Sequence, residues 1–206
     1  GSIYVFPPDI LRRTNNRMGG RKRIYLMDYW TSFQVDTVEH AQLLDWILRR
    51  HDYAASSTWP TSVDLLVFDF DGVMTDNSAY VDETGRETVR VNRSDGLGID
   101  RLRDLGVPMM ILSTEHNSVV TARAKKLLID VEHGIPDKAK RLSEILKARG
   151  CNAERVIYLG NDINDLGCFK LVGVPVAVAN AQPEVRAAAR HVLSKDGGCG
   201  AVRELC

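Results

Sequence analysis

The sequence predicts an α/β fold with a parallel sheet covered by helices on both faces, on three observations. Short apolar runs recur along the chain with helical stretches between them, the alternation that a parallel sheet requires. The acids and hydroxyls of that region gather just after the apolar runs, where an open sheet binds its ligands. One segment departs from the alternation and looks like a small β-hairpin inserted after the first strand.

The elements follow in order. Leu65–Phe70 is the first strand, Pro108–Leu112 the second, Val156–Leu159 the third and Val174–Val178 the fourth. Helices are expected over Asp95–Leu105, Asn117–Leu128 and Asp137–Arg149, the last closed by Gly150 as C-cap. Crossovers between the strands should be right-handed. Ala79–Val91 alternates around the turn "ETGR" and forms the hairpin.

Upstream lies a seam, "YAASSTWPTS" over Tyr53–Ser62, small and polar with a proline as linkers are. It divides the chain into a segment 1–53, a linker 54–62 and a domain 63–206. Within the first segment "GSIYVF" is a strand candidate and "NNRMGGRKR" an exposed basic loop. Residues 35–51 predict a helix capped by Asp36, with Glu39 as the acid of a capping box. Its apolar stripe would be Val35, Val38, Leu43, Leu44, Ile47 and Leu48. So few elements would struggle to form a core alone, and the segment has the look of the tail of something larger.

Bulk composition narrows the function. Lys and Arg total 27, as do Asp and Glu, so the formal charge is zero. That balance argues against a general nucleic-acid binder. No apolar run approaches the length of a membrane span, and no signal peptide is visible at the start. The four cysteines, Cys151, Cys168, Cys199 and Cys206, form no C-x-x-C pair, which disfavours a zinc or redox motif. A reduced, cytoplasmic setting is expected.

The strand ends carry the chemistry. The first ends in Asp69 and Asp71, the second in Ser113, Thr114 and Glu115, the third in "GNDIND" with Asp162 and Asp165; Lys138 opens a helix after "GIPD". Any one of these acids could simply cap a helix or shape a turn. Asp69 is different, because it lies between Phe68 and Phe70, where an unpaired carboxylate is costly. A cation is its natural partner, and two separated carboxylates with a backbone carbonyl and waters suit Mg²⁺. Together the residues point to phosphoryl transfer. One carboxylate attacks phosphorus, the second handles protons, and the hydroxyl and lysine hold the phosphate oxygens. Gly72 lets the chain turn sharply between them.

"DFDGVMTD" resembles the first motif of the haloacid dehalogenase superfamily in the D-x-D-G-x-x-T form of its phosphatases. Ser113, Lys138 and "GNDIND" stand at its second, third and fourth motifs. The resemblance implies a Rossmann-like three-layer sheet, Asp69 as nucleophile and Asp71 as general acid/base. It implies Mg²⁺ held by Asp69, the carbonyl of Asp71 and Asp162, with Asp165 in support. The family often has an acid where this chain has Asn161, and Asp162 is taken as the retained ligand. The hairpin, "RSDGLGI" and "GGCGAVRELC" are similar to the 3-deoxy-octulosonate 8-phosphate phosphatase branch, over about residues 63–206. That branch lacks a large cap and forms homotetramers in which hairpins meet centrally. Its usual Arg in the last motif is Cys199 here.

Within that branch, enzymes acting on nine-carbon 2-keto sugar acids resemble this chain at Glu115, Arg123 and Lys126. The resemblance implies that these bind the substrate, Arg123 and Lys126 at its carboxylate, although Arg123 and Lys126 are also what a solvated helix face would carry; His116 is a pocket-rim candidate. Residues 1–53 resemble the C-terminal part of CMP-sialic acid synthetases, with His40 departing from the usual I-D-T-x-x-D. The expectation is therefore a Mg²⁺-dependent phosphatase of nonulosonate 9-phosphates, part of a bifunctional cytidylyltransferase. Its rivals are an octulosonate 8-phosphate phosphatase and a non-catalytic tetramerisation module. A mutase or phosphonatase is disfavoured by the short, cap-less layout.

Overall fold

The computed structural model describes residues 8–16, 36–45 and 59–206. It divides into two units, Gly1–Ser56 and Ser57–Cys206.

In the first unit, helix α1 spans Pro8–Thr14, which the sequence reading did not anticipate. Helix α2 is described over 38–45. It is capped by Thr37 and not by Asp36: the His40 N–H donates to Thr37 Oγ1 at 3.2 Å. A cap oxygen accepts from the third helical residue, so a helix that starts at 38 takes its cap from 37. Glu39 then falls one place short of the capping-box position. Of the expected stripe, Val38 and Leu43 are exposed and Leu44 is half-buried. Val35, Ile47, Leu48, the strand "GSIYVF" and the loop from 17 onward lie outside the described residues.

The second unit is built on a six-stranded sheet, all parallel. Its strands are β1 (Leu65–Phe68), β4 (Met109–Leu112), β5 (Asp130–Glu132), β6 (Val156–Gly160), β7 (Val174–Ala177) and β8 (His191–Val192). The order β5-β4-β1-β6-β7-β8 places β1 between β4 on one side and β6 on the other. Every side chain of β1 and β4 is buried, so these runs show no alternation in the sequence. Each such Leu or Val contributes roughly 1.5–3 kcal/mol by leaving water.

The crossovers are helical. They include α3 (Ser94–Asp104), α4 (Val119–Leu127) and α5 (Lys138–Arg149). Short helices α6 (Leu166–Phe169), α7 (Pro183–Ala188) and α8 (Ala201–Leu205) complete the unit. Asp137 caps α5 by accepting from the Lys140 N–H at 2.9 Å, and Gly150 ends it at φ 65°. The hairpin is longer than expected: β2 covers Thr75–Val81 and β3 Glu87–Val91, a separate antiparallel sheet with an irregular register between Thr75 and Ala79.

Strands β5 and β8 were not anticipated. The first has acids at both ends, and each is paired by an arginine of α5: Arg141 to Glu132 at 2.5 and 2.7 Å, Arg149 to Asp130 at 2.8 Å. The second begins with His191, on which Trp59 stacks at 4.2 Å. Trp59, within the expected linker, thus stacks on the sheet of the second unit while staying 45% exposed. The four cysteines are free. Among the described residues no helix is long and apolar enough to cross a membrane.

Candidate active site at the switch point of the sheet

Strand order reverses at β1, and the crevice beyond such a reversal is where an open sheet binds ligands. Asp69 is the first residue past β1. Its N–H donates to the Leu159 carbonyl at 2.9 Å, which holds it level with the end of β6. Its carboxyl is buried; Oδ1 accepts from the Phe70 N–H at 2.8 Å and lies 3.2 Å from Lys138 Nζ.

Lys138, also buried, reaches Asp165 Oδ1 at 2.5 Å. Asp165 is saturated. Its Oδ1 also accepts from the Tyr158 hydroxyl at 2.8 Å, and its Oδ2 accepts the N–H groups of Asn161 at 2.8 Å and Asp162 at 3.2 Å. One ammonium thus faces two carboxylates away from water. Burial pushes the Asp69 carboxyl up to about 7, with the Asp165 charge adding and Lys138 opposing. Burial works against the charge on Lys138, but the two carboxylates outweigh it and raise its pKa.

Asp71 lies one turn further on and is half-buried. Its pKa is raised, first by burial and then by the neighbouring carboxylates of Glu115 and Glu87, against Lys138 and Thr75. Thr75 Oγ1 shapes the turn by accepting from Gly72 N–H at 3.1 Å and Asn77 N–H at 3.2 Å. Gly72 has φ +76°, and a Cβ there would lie 2.0 Å from Asn161 Nδ2. A second constraint comes from the far end of the chain. Gly198 N–H donates to the Val73 carbonyl at 3.0 Å, and a Cβ on Gly197 would fall 1.8 Å from the Gly72 carbonyl oxygen.

Ser113 follows β4 as Asp69 follows β1. It is buried, and its Oγ accepts from the Glu115 N–H at 3.0 Å. Thr114 is half-buried in the same turn. Glu115 Oε1 accepts from the Asn117 N–H at 2.7 Å. A cleft of about 270 Å³ opens beside Asp71, between the hairpin and the start of α4, with Glu115, Glu87, Asn117 and Asn77 in its wall. Arg123 and Lys126 do not line this cleft. Arg123 is buried and donates to the Asn92 carbonyl at 2.9 Å, while Lys126 is exposed on α4. His116 is exposed and covers Gly134. Cys199 is exposed, 3.9 Å from an Arg90 nitrogen whose guanidinium pairs with Asp76 at 2.7 Å.

Asp162 is half-buried and caps its own turn, Oδ1 accepting from the Ile163 N–H at 2.7 Å. Two contributors to the site were not foreseen. Tyr158 is hidden in the apolar run of β6. Glu87 belongs to the hairpin and meets Asp71 only through the tertiary fold; the alternation of β3 signals a two-faced strand but not what one face meets.

Comparison with known proteins bears on this arrangement. The model for haloacid dehalogenase-like hydrolases matches residues 110–204. The 3-deoxy-D-manno-octulosonate 8-phosphate phosphatase of Yersinia pestis is 35% identical over 146 residues, 70% of this chain and 78% of that protein. The chain belongs to the haloacid dehalogenase superfamily. It is a phosphatase of that superfamily, a phosphoric monoester hydrolase, in the branch that includes the Yersinia protein.

Solved structures agree with the fold. A haloacid dehalogenase family hydrolase from Streptomyces avermitilis is 53% identical with a TM-score of 0.70, over 72% of this chain and 86% of that one. The 3-deoxy-D-manno-octulosonate 8-phosphate phosphatase of Moraxella catarrhalis, solved with magnesium, phosphate and the sugar acid, is 32% identical with a TM-score of 0.68, over 70% and 83%. These relatives match the phosphatase part of the chain and lend no support to the synthetase expectation for residues 1–53.

Phosphatases of this superfamily use Mg²⁺, and the residues present fit such an ion. The donors at the switch point are hard oxygens. Asp69 and Asp165 outnumber Lys138 by one charge in a buried space, and Asn161 Oδ1 is buried with no hydrogen-bond partner. Among the described residues no three His, Cys, Asp or Glu side chains gather into a cage, so a cation here would need backbone, amide or water oxygens as well.

Proposed function

We propose that the protein hydrolyses the phosphate ester of an acidic 2-keto-3-deoxy sugar through a phosphorylated Asp69. The observation that carries this is the buried Asp69–Lys138–Asp165 chain ending beside an Asp71 that faces an open cleft. The Asp69 carboxylate attacks phosphorus as Asp71 gives its proton to the departing sugar oxygen, whose bond to phosphorus breaks. Asp71, now ionised, takes a proton from water as that water attacks the aspartyl-phosphate, releasing phosphate and restoring Asp69. Lys138 Nζ and the Ser113 hydroxyl hold equatorial oxygens, where charge has to be stabilised. Asp69, the Asp71 carbonyl and the loop at 161–162 would hold Mg²⁺, which would supply charge that offsets repulsion between carboxylate and phosphate.

The relatives favour 3-deoxy-octulosonate 8-phosphate as substrate. A nine-carbon 9-phosphate is the second reading, favoured by Glu115 in the wall of the cleft; in it Thr114 also faces the sugar, while Arg123 and Lys126 would have to act from outside the cleft. We propose too that the hairpin, with Tyr80 and Val81 exposed, assembles a homotetramer. Phosphate release from a panel of sugar phosphates, with and without Mg²⁺, tests the reading. Release should need Mg²⁺, favour the acidic 8- or 9-phosphate over neutral sugar phosphates, and fall by about 10⁴-fold or more in Asp69→Asn. A panel with no turnover would leave only the non-catalytic assembly module, and a variant as active as wild type would overturn Asp69 as the nucleophile.

A further inference from the structure

We propose that Arg86, beside the turn of the hairpin, receives the carboxylate of the acidic sugar, at the end of the cleft away from the phosphate. The inference rests on the phosphatase reading above and names the group that makes such a site prefer an acid.

A 2-keto sugar acid esterified at its last carbon carries its two charges at opposite ends. With the phosphorus at Asp69, the carboxylate lies out along the cleft. The near wall repels it, because Glu87 and Glu115 stand there beside Asp71. Carboxylates accept hydrogen bonds from sugar hydroxyls but disfavour a further anion. Basic side chains in this part of the fold are engaged elsewhere. Lys138 is held between Asp69 and Asp165, Arg90 pairs with Asp76 at 2.7 Å, and Arg123 is buried against the Asn92 carbonyl.

The cleft does not end at Glu87. A second space of about 430 Å³ shares Glu87, Val89, Asn117 and Val119 with it and runs along β3 to Arg86. From Val89 to Arg86 the extended chain covers about 10 Å, so the groove reaches well past the phosphate. Among the described residues that line the two spaces, Arg86 is the one basic side chain.

Its main chain is anchored. The Arg86 N–H donates to Asp82 Oδ1 at 3.0 Å, and its carbonyl accepts from the Asp82 N–H at 3.1 Å. Its side chain is exposed, and among the described residues the guanidinium makes no hydrogen bond or ion pair. A free guanidinium on a fixed backbone suits a carboxylate, two N–H groups meeting two oxygens. Across the groove stand Ser118 and Val119 at the start of α4, the end of a helix that favours negative charge.

The experiment measures phosphate release by the full chain with Mg²⁺ over a concentration series of three esters: 3-deoxy-octulosonate 8-phosphate, a nine-carbon 2-keto acid 9-phosphate, and phenyl phosphate, which has no carboxylate. In Arg86→Ala, KM for the better acidic ester should rise about tenfold to a hundredfold, with kcat changed far less. The ratio of kcat/KM for that ester to kcat/KM for phenyl phosphate should fall by the same factor. Arg86→Lys keeps the charge without the fork and should recover part of the ratio, while Arg86→Glu should lose more than the alanine variant. Melting temperatures should match wild type, since the side chain holds nothing in place. Equal losses on acidic and phenyl esters, or an unchanged ratio in both Arg86→Ala and Arg86→Glu, overturn the inference and leave the phosphatase reading standing. Wild-type release from phenyl phosphate alone overturns the inference together with the acidic substrate. No wild-type release from any ester overturns the phosphatase reading itself.

Discussion

Asp165 accepts four hydrogen bonds, from Lys138, Tyr158 and two backbone N–H groups, and its worth lies in what it aims. It turns the Lys138 ammonium toward Asp69 and holds the β6 loop in one shape. Tyr158→Phe removes one of those bonds without changing the packing against Phe169. A buried hydrogen bond to a charged group is worth about 1.5–3 kcal/mol, so urea unfolding should show a loss of that order, and the turnover number should fall more than KM changes. A pH effect belongs to this scale as well. Burial raises Asp95 to about 6, against the opposing Arg203 N–H and Arg123. Because its folded value exceeds the ordinary 3.8, the folded state binds more protons than the unfolded one between about pH 4 and 6. The stability Asp95 contributes is full below that window and is lost as pH rises through it. Melting temperatures from pH 4 to 7 should fall less steeply in Asp95→Asn than in wild type.

Elements differ in how much of their environment a glycine must spare, and the chain offers a matched pair. Gly197→Ala would press a methyl to 1.8 Å from the Gly72 carbonyl oxygen, while Gly85→Ala, at φ +79° in the hairpin turn, meets nothing within 4 Å. The first should abolish most phosphate release and lower the melting temperature sharply. The second should cost only the left-handed strain of about 1–2 kcal/mol and leave turnover per folded molecule unchanged. The same contrast explains what the sequence made legible. Strands β1, β4, β6 and β7 were visible because burial on both faces demands continuous apolar runs. Helix α5 was visible because Asp137 and Gly150 bracket it. Asp69, Asp71, Ser113, Lys138 and Asp165 were visible as strand-end and helix-start residues. Strand β5 was not, since its acids are matched by arginines 9 and 19 residues away in sequence. The cap of α2 was misplaced by one residue because Asp36 and Thr37 are both good caps, and local geometry chooses between them. Tyr158 and Glu87 carry no local signal; only the fold brings them to the carboxylates.

At the scale of the molecule, equal numbers of acids and bases leave no net charge to steer an anionic substrate, so recognition falls to the cleft. If the hairpin assembles the oligomer, Tyr80→Ser with Val81→Ser should lower the mass measured by light scattering from four chains to fewer, since both side chains are more than half exposed in the subunit. Asp69, Lys138 and Asp165 all come from one subunit, so melting and Mn²⁺ binding should survive that change better than turnover does. The buttress at Gly197 and Gly198 has an effect beyond packing. A chain released before position 197 would carry the attacking acid, its proton partner and the lysine, yet lack the backbone that bends them into register. Removing residues 197–206 should therefore lower phosphate release at least as far as Gly197→Ala does, because the turn between Asp71 and Thr75 loses the backbone it packs against.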